Sequence, residues 1–491
     1  MEAQGLLPYA SLFWSHRGAF SMSVVPPPVH PLSGLLRTKA INADHHLVDT
    51  GLRRVLGPVD LTLLGIGAII GAGIFVLTGV AAATKAGPAI VLAYMVAGSA
   101  CAFSALAYAE LAAAIGGCGS AYGYAYAGLG EIVAWVIGWD LILEYSVAVS
   151  AVAIGWSGYA NNALQAIGLG FPVALLRSPS EGGIINLPAA AIVLTLAVLL
   201  GIGVRESVRV NAVMVMVKLL AIAVFLSVAG AHVDPANWVP FMPFGWEGVM
   251  GGAALIFFAY IGFDAVSTAA EEARNPQRDL PIGILASLVV CTLIYIAVAA
   301  ALTGAVPYPT LNVASPVADA LARLGYSTAA GLVAAGAIAG LTTVMLVLYY
   351  GLTRIFLAMS RDGLLPPLFA QVNSRTRTPL PAIAVAGAVM AAVAGLTPIG
   401  QVAELVNIGT LAAFFLVCVG VVVLRWTHPE LPRPFRTPFS PLVPLLGAAS
   451  CLYLAASLPW VTWLRFGLWL AAGLAFYFLY SRRRSALATP V

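Results

Sequence analysis

Apolar residues run along the chain in long blocks broken by short polar stretches, and block length predicts helices. Twelve blocks are candidate bilayer crossings, at roughly 60–83, 88–114, 128–158, 187–204, 210–230, 248–271, 281–305, 328–359, 381–397, 400–425, 441–460 and 463–481. The third and eighth are longer than a bilayer requires, so they should tilt or project. The pattern therefore predicts an all-α polytopic membrane protein.

Two blocks are interrupted. In the first, Gly65, Gly67, Gly71 and Gly73 punctuate an apolar run from Leu61 to Ala83. Glycine weakens a helix interior, and a broken backbone persists at membrane depth only where protein or a water-filled cavity satisfies it. Gly71-Ala72-Gly73 thus reads as a mid-membrane break, with free N–H groups on one half-helix for an anion and free carbonyls on the other for a cation. Close packing of two helices across small residues is the competing explanation for the same glycines. The sixth span separates the two. Phe257-Phe258-Ala259-Tyr260-Ile261-Gly262-Phe263-Asp264 sets a glycine and a carboxylate inside an apolar segment, five spans after the first break. Interrupted helices at corresponding positions of two halves point to an inverted-repeat carrier, which packing alone does not predict.

Composition agrees, with 61% hydrophobic and 9% charged residues in 491. Charge distribution adds an orientation. With both termini inside, 19 basic residues fall on the cytoplasmic side and four (Lys85, Arg177, Arg323, Arg465) outside, leaving Lys218 in the membrane. Five cysteines without CxxC spacing and six histidines outside the spans suggest neither a disulfide framework nor a metal centre. None of the three lysines follows a glycine, so there is no ATP-binding loop. No cofactor and no nucleic acid partner are expected. Residues 1–57 read as a cytoplasmic, partly disordered tail in which Met22 is an alternative start. A transporter core spans 58–426, with halves at about 58–230 and 246–426; two peripheral helices occupy 427–481 and a cytoplasmic tail 482–491.

Three charged groups lie deep in the spans. Lys218 sits about eight residues into the fifth, ~12 Å from its cytoplasmic end. It either snorkels to the interface or docks on carbonyls freed by the first break, where burial and hydrogen bonding pull its protonation in opposite directions. Glu144 in the third span is either a structural carboxylate capping a neighbouring helix or an acid facing the site. Asp264 either caps the half-helix that begins after the second break or takes part in proton coupling. Phe258, Tyr260 and Phe263 are lipid-facing bulk or, around the break, a gate. Glu404 with Asn407 is a weaker candidate pair, and Arg354 and Asp362 read as interfacial charges facing the cytosol.

Several strings are similar to those of the amino acid/polyamine/organocation transporters, and within them the cationic amino acid transporter group. They are Gly65 to Phe75, Tyr108-Ala109-Glu110-Leu111, Gly138 to Tyr145, the segment around Lys218, Phe257 to Ala265 continuing into Glu271 to Arg278, Thr353 to Gly363, and Arg433 to Pro438. The resemblance covers about Gly51 to Ser481. It implies a LeuT-like fold of two inverted five-helix repeats plus two extra helices, moving substrate by alternating access. Carried onto these residues, it implies that the Ala72 and Gly73 N–H groups meet the carboxylate of an L-amino acid. Carbonyls at Ile69, Phe258, Ala259 and Ile261 would meet its amino group. Ala148 and Leu348 would line the side-chain pocket, Phe258 would gate it, and Lys218 would stand where sodium-driven relatives hold an ion, which suggests proton coupling. Two positions depart from the pattern: Ala72 stands where many relatives have a hydroxyl residue, and Ile115-Gly116-Gly117-Cys118 replaces a proline-containing loop.

The expectation is a proton-coupled L-amino acid importer of a bacterial-type inner (plasma) membrane, multi-pass, as a monomer or weak oligomer. An exchanger, a carrier of Lys, Arg or ornithine, and a non-transporting sensor are the alternatives. The residues show no nucleophile–base or metal set of an intramembrane enzyme, and a polyamine carrier would want more acids than Glu144 and Asp264.

Overall fold

A computed structural model describes residues 35–39, 56–115, 120–166, 168–202, 208–376 and 378–488. The stretch 116–119 and most of the expected N-terminal tail lie outside these. The regular elements among the described residues are all helices, and the one β-bridge among them joins Leu56 to Ala273. Eight helices are long and apolar enough to cross a membrane, and four shorter apolar helices, Pro58–Ile69, Leu187–Ile202, Leu380–Leu396 and Leu442–Ala456, complete the set. All twelve expected spans therefore have a helix behind them. The third is longer than expected, Glu131–Ala166. Two short helices were not anticipated: Ser120–Gly128 before the third span and the amphipathic Pro316–Arg323 before the eighth.

The halves of the first span begin and end for local reasons. Pro58 opens Pro58–Ile69, where its missing N–H costs nothing, and the Gly57 N–H donates to the Asp60 carboxylate. The helix stops at Ile70, whose backbone is extended (φ −73°, ψ 98°), and resumes at Gly73. In the sixth span, Gly245–Ile256 tightens into the 3₁₀ turn Phe257–Tyr260, Ile261 is extended, and Gly262 takes φ +120°, a conformation that glycine alone adopts without strain. A Cβ on Gly262 would stand 2.8 Å from the Ala68 carbonyl carbon, and one on Gly73 would stand 2.3 Å from Ala259 Cα. The two breaks are thus pressed backbone to backbone. Both readings of the glycines hold, because the break and the close approach occur together; Gly65 is also a packing glycine, against Ser287.

Residues 35–39 and the segment from Tyr477 to Ala486 meet at one face. The Leu35 carbonyl accepts from the Ile132 N–H and the Lys39 N–H donates to Tyr126 O, while Lys39 Nζ pairs with Asp362 at 2.9 Å beside the Tyr122 hydroxyl. From the other end of the chain, Tyr477 and Ser485 donate their hydroxyls to the fully buried Glu131 carboxylate, and Ser481 donates to Leu364 O. Arg482–Arg484 continue the last helix with exposed side chains, and beyond them the Ala486 N–H donates to Asp362 O. At the same face Glu110 is held by Arg425 through two bonds (2.9 and 2.7 Å) and by the Thr437 N–H, fixing the second span to the tenth. Arg354 pairs with Glu272 at 3.3 Å.

The twelfth span is fixed to the third by aromatic stacking: Trp135, Trp139, Trp469 and Phe476 lie nearly parallel, and the Trp139 and Trp469 indoles each donate to the other's carbonyl. Gly473 makes room for this, since a Cβ there would stand 2.4 Å from Trp139. Gly473→Leu should cost about 1–3 kcal/mol of overpacking. The protein in detergent should aggregate at lower temperature while uptake per folded molecule persists; an unchanged thermal midpoint would contradict the stacking account.

Candidate substrate site between two broken helices

Where the carbonyls and N–H groups of the breaks go is a complete accounting question. On the first span, Lys218 Nζ donates to Gly67 O (2.6 Å) and Ile70 O (3.0 Å). Tyr295 supplies its hydroxyl to Ile69 O, Thr78 to Gly73 O, and Tyr159 to Phe75 O. On the sixth, Asn407 Nδ2 donates to Ala254 O (2.7 Å) and Leu255 O (3.0 Å), while Tyr295 also reaches Ala259 O at 2.7 Å. Side chains from the third, fifth, seventh and tenth spans therefore satisfy the broken backbone, as the membrane interior demands. The Ala72 and Gly73 N–H groups stand at the start of a helix, where the helix itself offers no acceptor.

Lys218 is fully buried, so it does not snorkel. Its stem passes Gly340 of the eighth span, where a Cβ would meet it at 3.4–3.7 Å.

Ile69, Ala72, Gly73, Glu144, Ala148, Phe258, Ala259, Ile261, Leu348, Lys218 and Asp264 are all buried. Gly73 and Ala259 are in contact range, as are Ile69 and Ala259 through Tyr295. Phe258, Tyr260 and Phe263 are not lipid-facing: Tyr260 donates to Tyr94 O, and Phe263 packs against Tyr108 and Phe414.

The structure corrects the capping reading of Asp264. Its carboxylate makes no capping bond to helix Ala265–Thr268; it accepts from the Gly262 N–H (3.2 Å) and the Tyr145 hydroxyl (3.0 Å) instead, because the positive φ at Gly262 turns that N–H back toward it. Glu144 caps nothing either. Neither Glu144 oxygen meets a donor in good hydrogen-bond geometry, since the neighbouring Thr410 hydroxyl donates to Val406 O, and Asp140 Oδ1, Asn407 Oδ1 and the Tyr108 hydroxyl are likewise unpartnered and buried. Asp264, Asp140 and Thr410 surround Glu144. Ala148 lies one helical turn along from Glu144 on the same face. Glu404, by contrast, accepts from Thr462 of the twelfth span at 2.9 Å, away from the breaks.

Sequence reasoning gave no site role to Tyr295, or to Tyr145, Tyr108 and Asp140, which it noted within similar strings. The first three are tyrosines inside apolar spans, and a phenol in a hydrocarbon segment asks for a hydrogen-bond partner; that was the available signal.

Comparison with known proteins decides the family. The model of the family described as "Amino acid permease" matches residues 56–470. The chain belongs to that family. It is 50% identical over 459 residues to a methylthioribose transporter of Bacillus subtilis (strain 168), covering 93% of this chain and all of the relative. It is 50% identical over 444 residues to the branched-chain amino acid permease BcaP of the same organism, covering 89% and 95%. With the vacuolar cationic amino acid transporter 4 of Arabidopsis thaliana it shares 38% over 411 residues, covering 81% and 68%. This permease is a multi-pass membrane transporter of small molecules and not an enzyme, and the resemblance read from its strings is borne out.

Proposed function

We propose that the permease imports a neutral L-amino acid by proton symport, with Lys218 as the proton-linked group. The observation that carries this is the Lys218 amine seated on Gly67 O and Ile70 O at the first break. A proton there and a substrate on the adjoining Ala72 and Gly73 N–H groups would share one backbone segment, so each binding event alters the other. In this reading the carboxylate lies on Ala72 and Gly73, the amino group on carbonyls of Ile69, Phe258, Ala259 and Ile261, and the side chain against Ala148 and Leu348, with Phe258 closing over it. Asp264, held by Tyr145 and the Gly262 N–H, is the second proton-linked candidate. The two breaks divide the core into inverted repeats at about 58–230 and 246–426, with 427–481 peripheral. The basic residues support cytoplasmic termini and a bacterial-type plasma membrane.

Relatives named for branched-chain amino acids and for methylthioribose, both 50% identical, support a neutral cargo over a cationic one. One observation favours the cationic alternative: the two unpartnered oxygens of Glu144, one turn from Ala148. Uptake of labelled leucine, alanine and arginine into liposomes holding the purified protein separates these, with and without an inward proton gradient. Gradient-driven leucine or alanine uptake that arginine does not inhibit is the expected result. Arginine uptake would assign Glu144 to the substrate side chain. Uptake that needs amino acid preloaded inside, whatever the gradient, would make the permease an exchanger.

A further inference from the structure

Tyr295 lies on helix Pro276–Ala305 of the seventh span, its buried ring set between Tyr94 and Tyr260 with centroids 5.3 and 5.4 Å away. Its hydroxyl is 2.8 Å from Ile69 O on one break and 2.7 Å from Ala259 O on the other. A phenol carries one hydrogen, so it fully serves only one of these acceptors at a time. Both belong to the carbonyl set assigned above to the substrate's amino group, so any role of Tyr295 in choosing substrate at these atoms rests on that reading.

We propose that Tyr295 sets how strongly the site demands a charged amino group on its substrate, acting as a resident neutral donor that a substrate ammonium competes with at Ile69 O and Ala259 O. A buried carbonyl left without a donor carries the full cost of its lost hydration. With the tyrosine present, a substrate whose head group brings no ammonium still leaves one of these two carbonyls served at any moment. An ammonium gains only the difference between a charge-assisted bond and the neutral one it replaces. Without the hydroxyl, the penalty falls on the empty site and on any substrate lacking the ammonium, and a bound ammonium relieves it. Tyr295 is therefore a specificity-determining residue reaching both broken helices from a span that neither interrupts.

The test compares leucine with its 2-hydroxy analogue, which has the same carboxylate and side chain and a hydroxyl in place of the ammonium. Inhibition constants of both against labelled leucine uptake are measured for the full-length protein in liposomes, wild type and Tyr295→Phe. The preference for leucine over the hydroxy acid should rise about tenfold in Tyr295→Phe. A residue that only braces the fold would change both constants by the same factor, so a preference within twofold of wild type overturns the proposal. If Tyr295→Phe takes up no leucine, 3,5-difluorotyrosine at position 295 keeps the ring and makes the hydroxyl a stronger donor. The preference should then fall about threefold, and an unchanged value overturns the proposal. A wild-type protein that takes up leucine but shows no shift in either variant refutes only this inference. A wild-type protein bound by neither compound refutes the amino-acid reading of the site and the inference with it.

Discussion

Gly73→Val is expected to lose substrate binding altogether, the largest effect of any single substitution in the site. An ideal Cβ at this position would stand 2.3 Å from both Cα and Cβ of Ala259. Backbone atoms cannot rotate away as a side chain would, so the two breaks have to separate to admit any side chain, and a branched one forces the widest gap. That separation moves the Gly73 N–H and the Ala259 carbonyl apart, although the proposed site needs both on one small molecule. A misplacement of that size should weaken binding at least ~100-fold. Equilibrium binding of labelled leucine to the purified variant gives the measurement, with Gly331→Val as a control, since nothing lies within 4 Å of a Cβ there. Gly73→Ala should fall between wild type and valine. Wild-type affinity in Gly73→Val would remove the model of a substrate held between the two breaks.

Lys218→Met should separate binding from energy coupling. Methionine matches the length and apolar stem of lysine but brings no N–H, so Gly67 O and Ile70 O lose their buried donor. Each orphaned acceptor costs about 1–3 kcal/mol, which favours arrangements of the first span that reach water. Accumulation driven by an inward proton gradient should fall at least ~10-fold, while exchange of labelled for unlabelled substrate at equal pH persists. The variant should still insert and purify, since losing a membrane charge removes an insertion cost of ~2.5–3.5 kcal/mol. Unchanged gradient-driven accumulation would end the coupling role of Lys218 and leave Asp264 as the remaining candidate.

The fold was legible to different depths at different places. Helices in a membrane follow from apolar length, so all twelve spans could be placed from the chain alone. The breaks were legible because glycine and a carboxylate are expensive in mid-membrane. Lys218 could even be matched to its acceptors, since a buried amine needs carbonyls and the first break was the place that freed them. What stayed hidden depends on rotation about the helix axis. Tyr295 sits in an apolar run whose nearest polar residue, Thr292, bonds its own helix at Leu288 O and so marks no face, and nothing distinguished a phenol pointing at the breaks from one at the lipid. Asp264 illustrates the converse difficulty. Its position just before a short helix suggested a cap, but the positive φ of Gly262 redirected the carboxylate to the preceding N–H and to Tyr145. Helix Pro316–Arg323 was missed because it is too short and too polar on one side to register as a span, and Ser120–Gly128 because its nine residues are too few to cross a bilayer.

The site beneath Glu131 also carries a consequence for biosynthesis. This carboxylate lies at the start of the third span, and its partners Tyr477 and Ser485 follow it by 346 and 354 positions. At ~5–20 residues per second, the ribosome delivers them roughly 20–70 s after Glu131 has emerged. For that interval the nascent carrier holds an acidic group that has the Tyr126 hydroxyl but neither later partner, and an open tryptophan face. The insertion machinery or bound lipid must shield this surface until the last helix arrives, and a ribosome stalled before codon 477 leaves a protein with both breaks complete and its flank exposed.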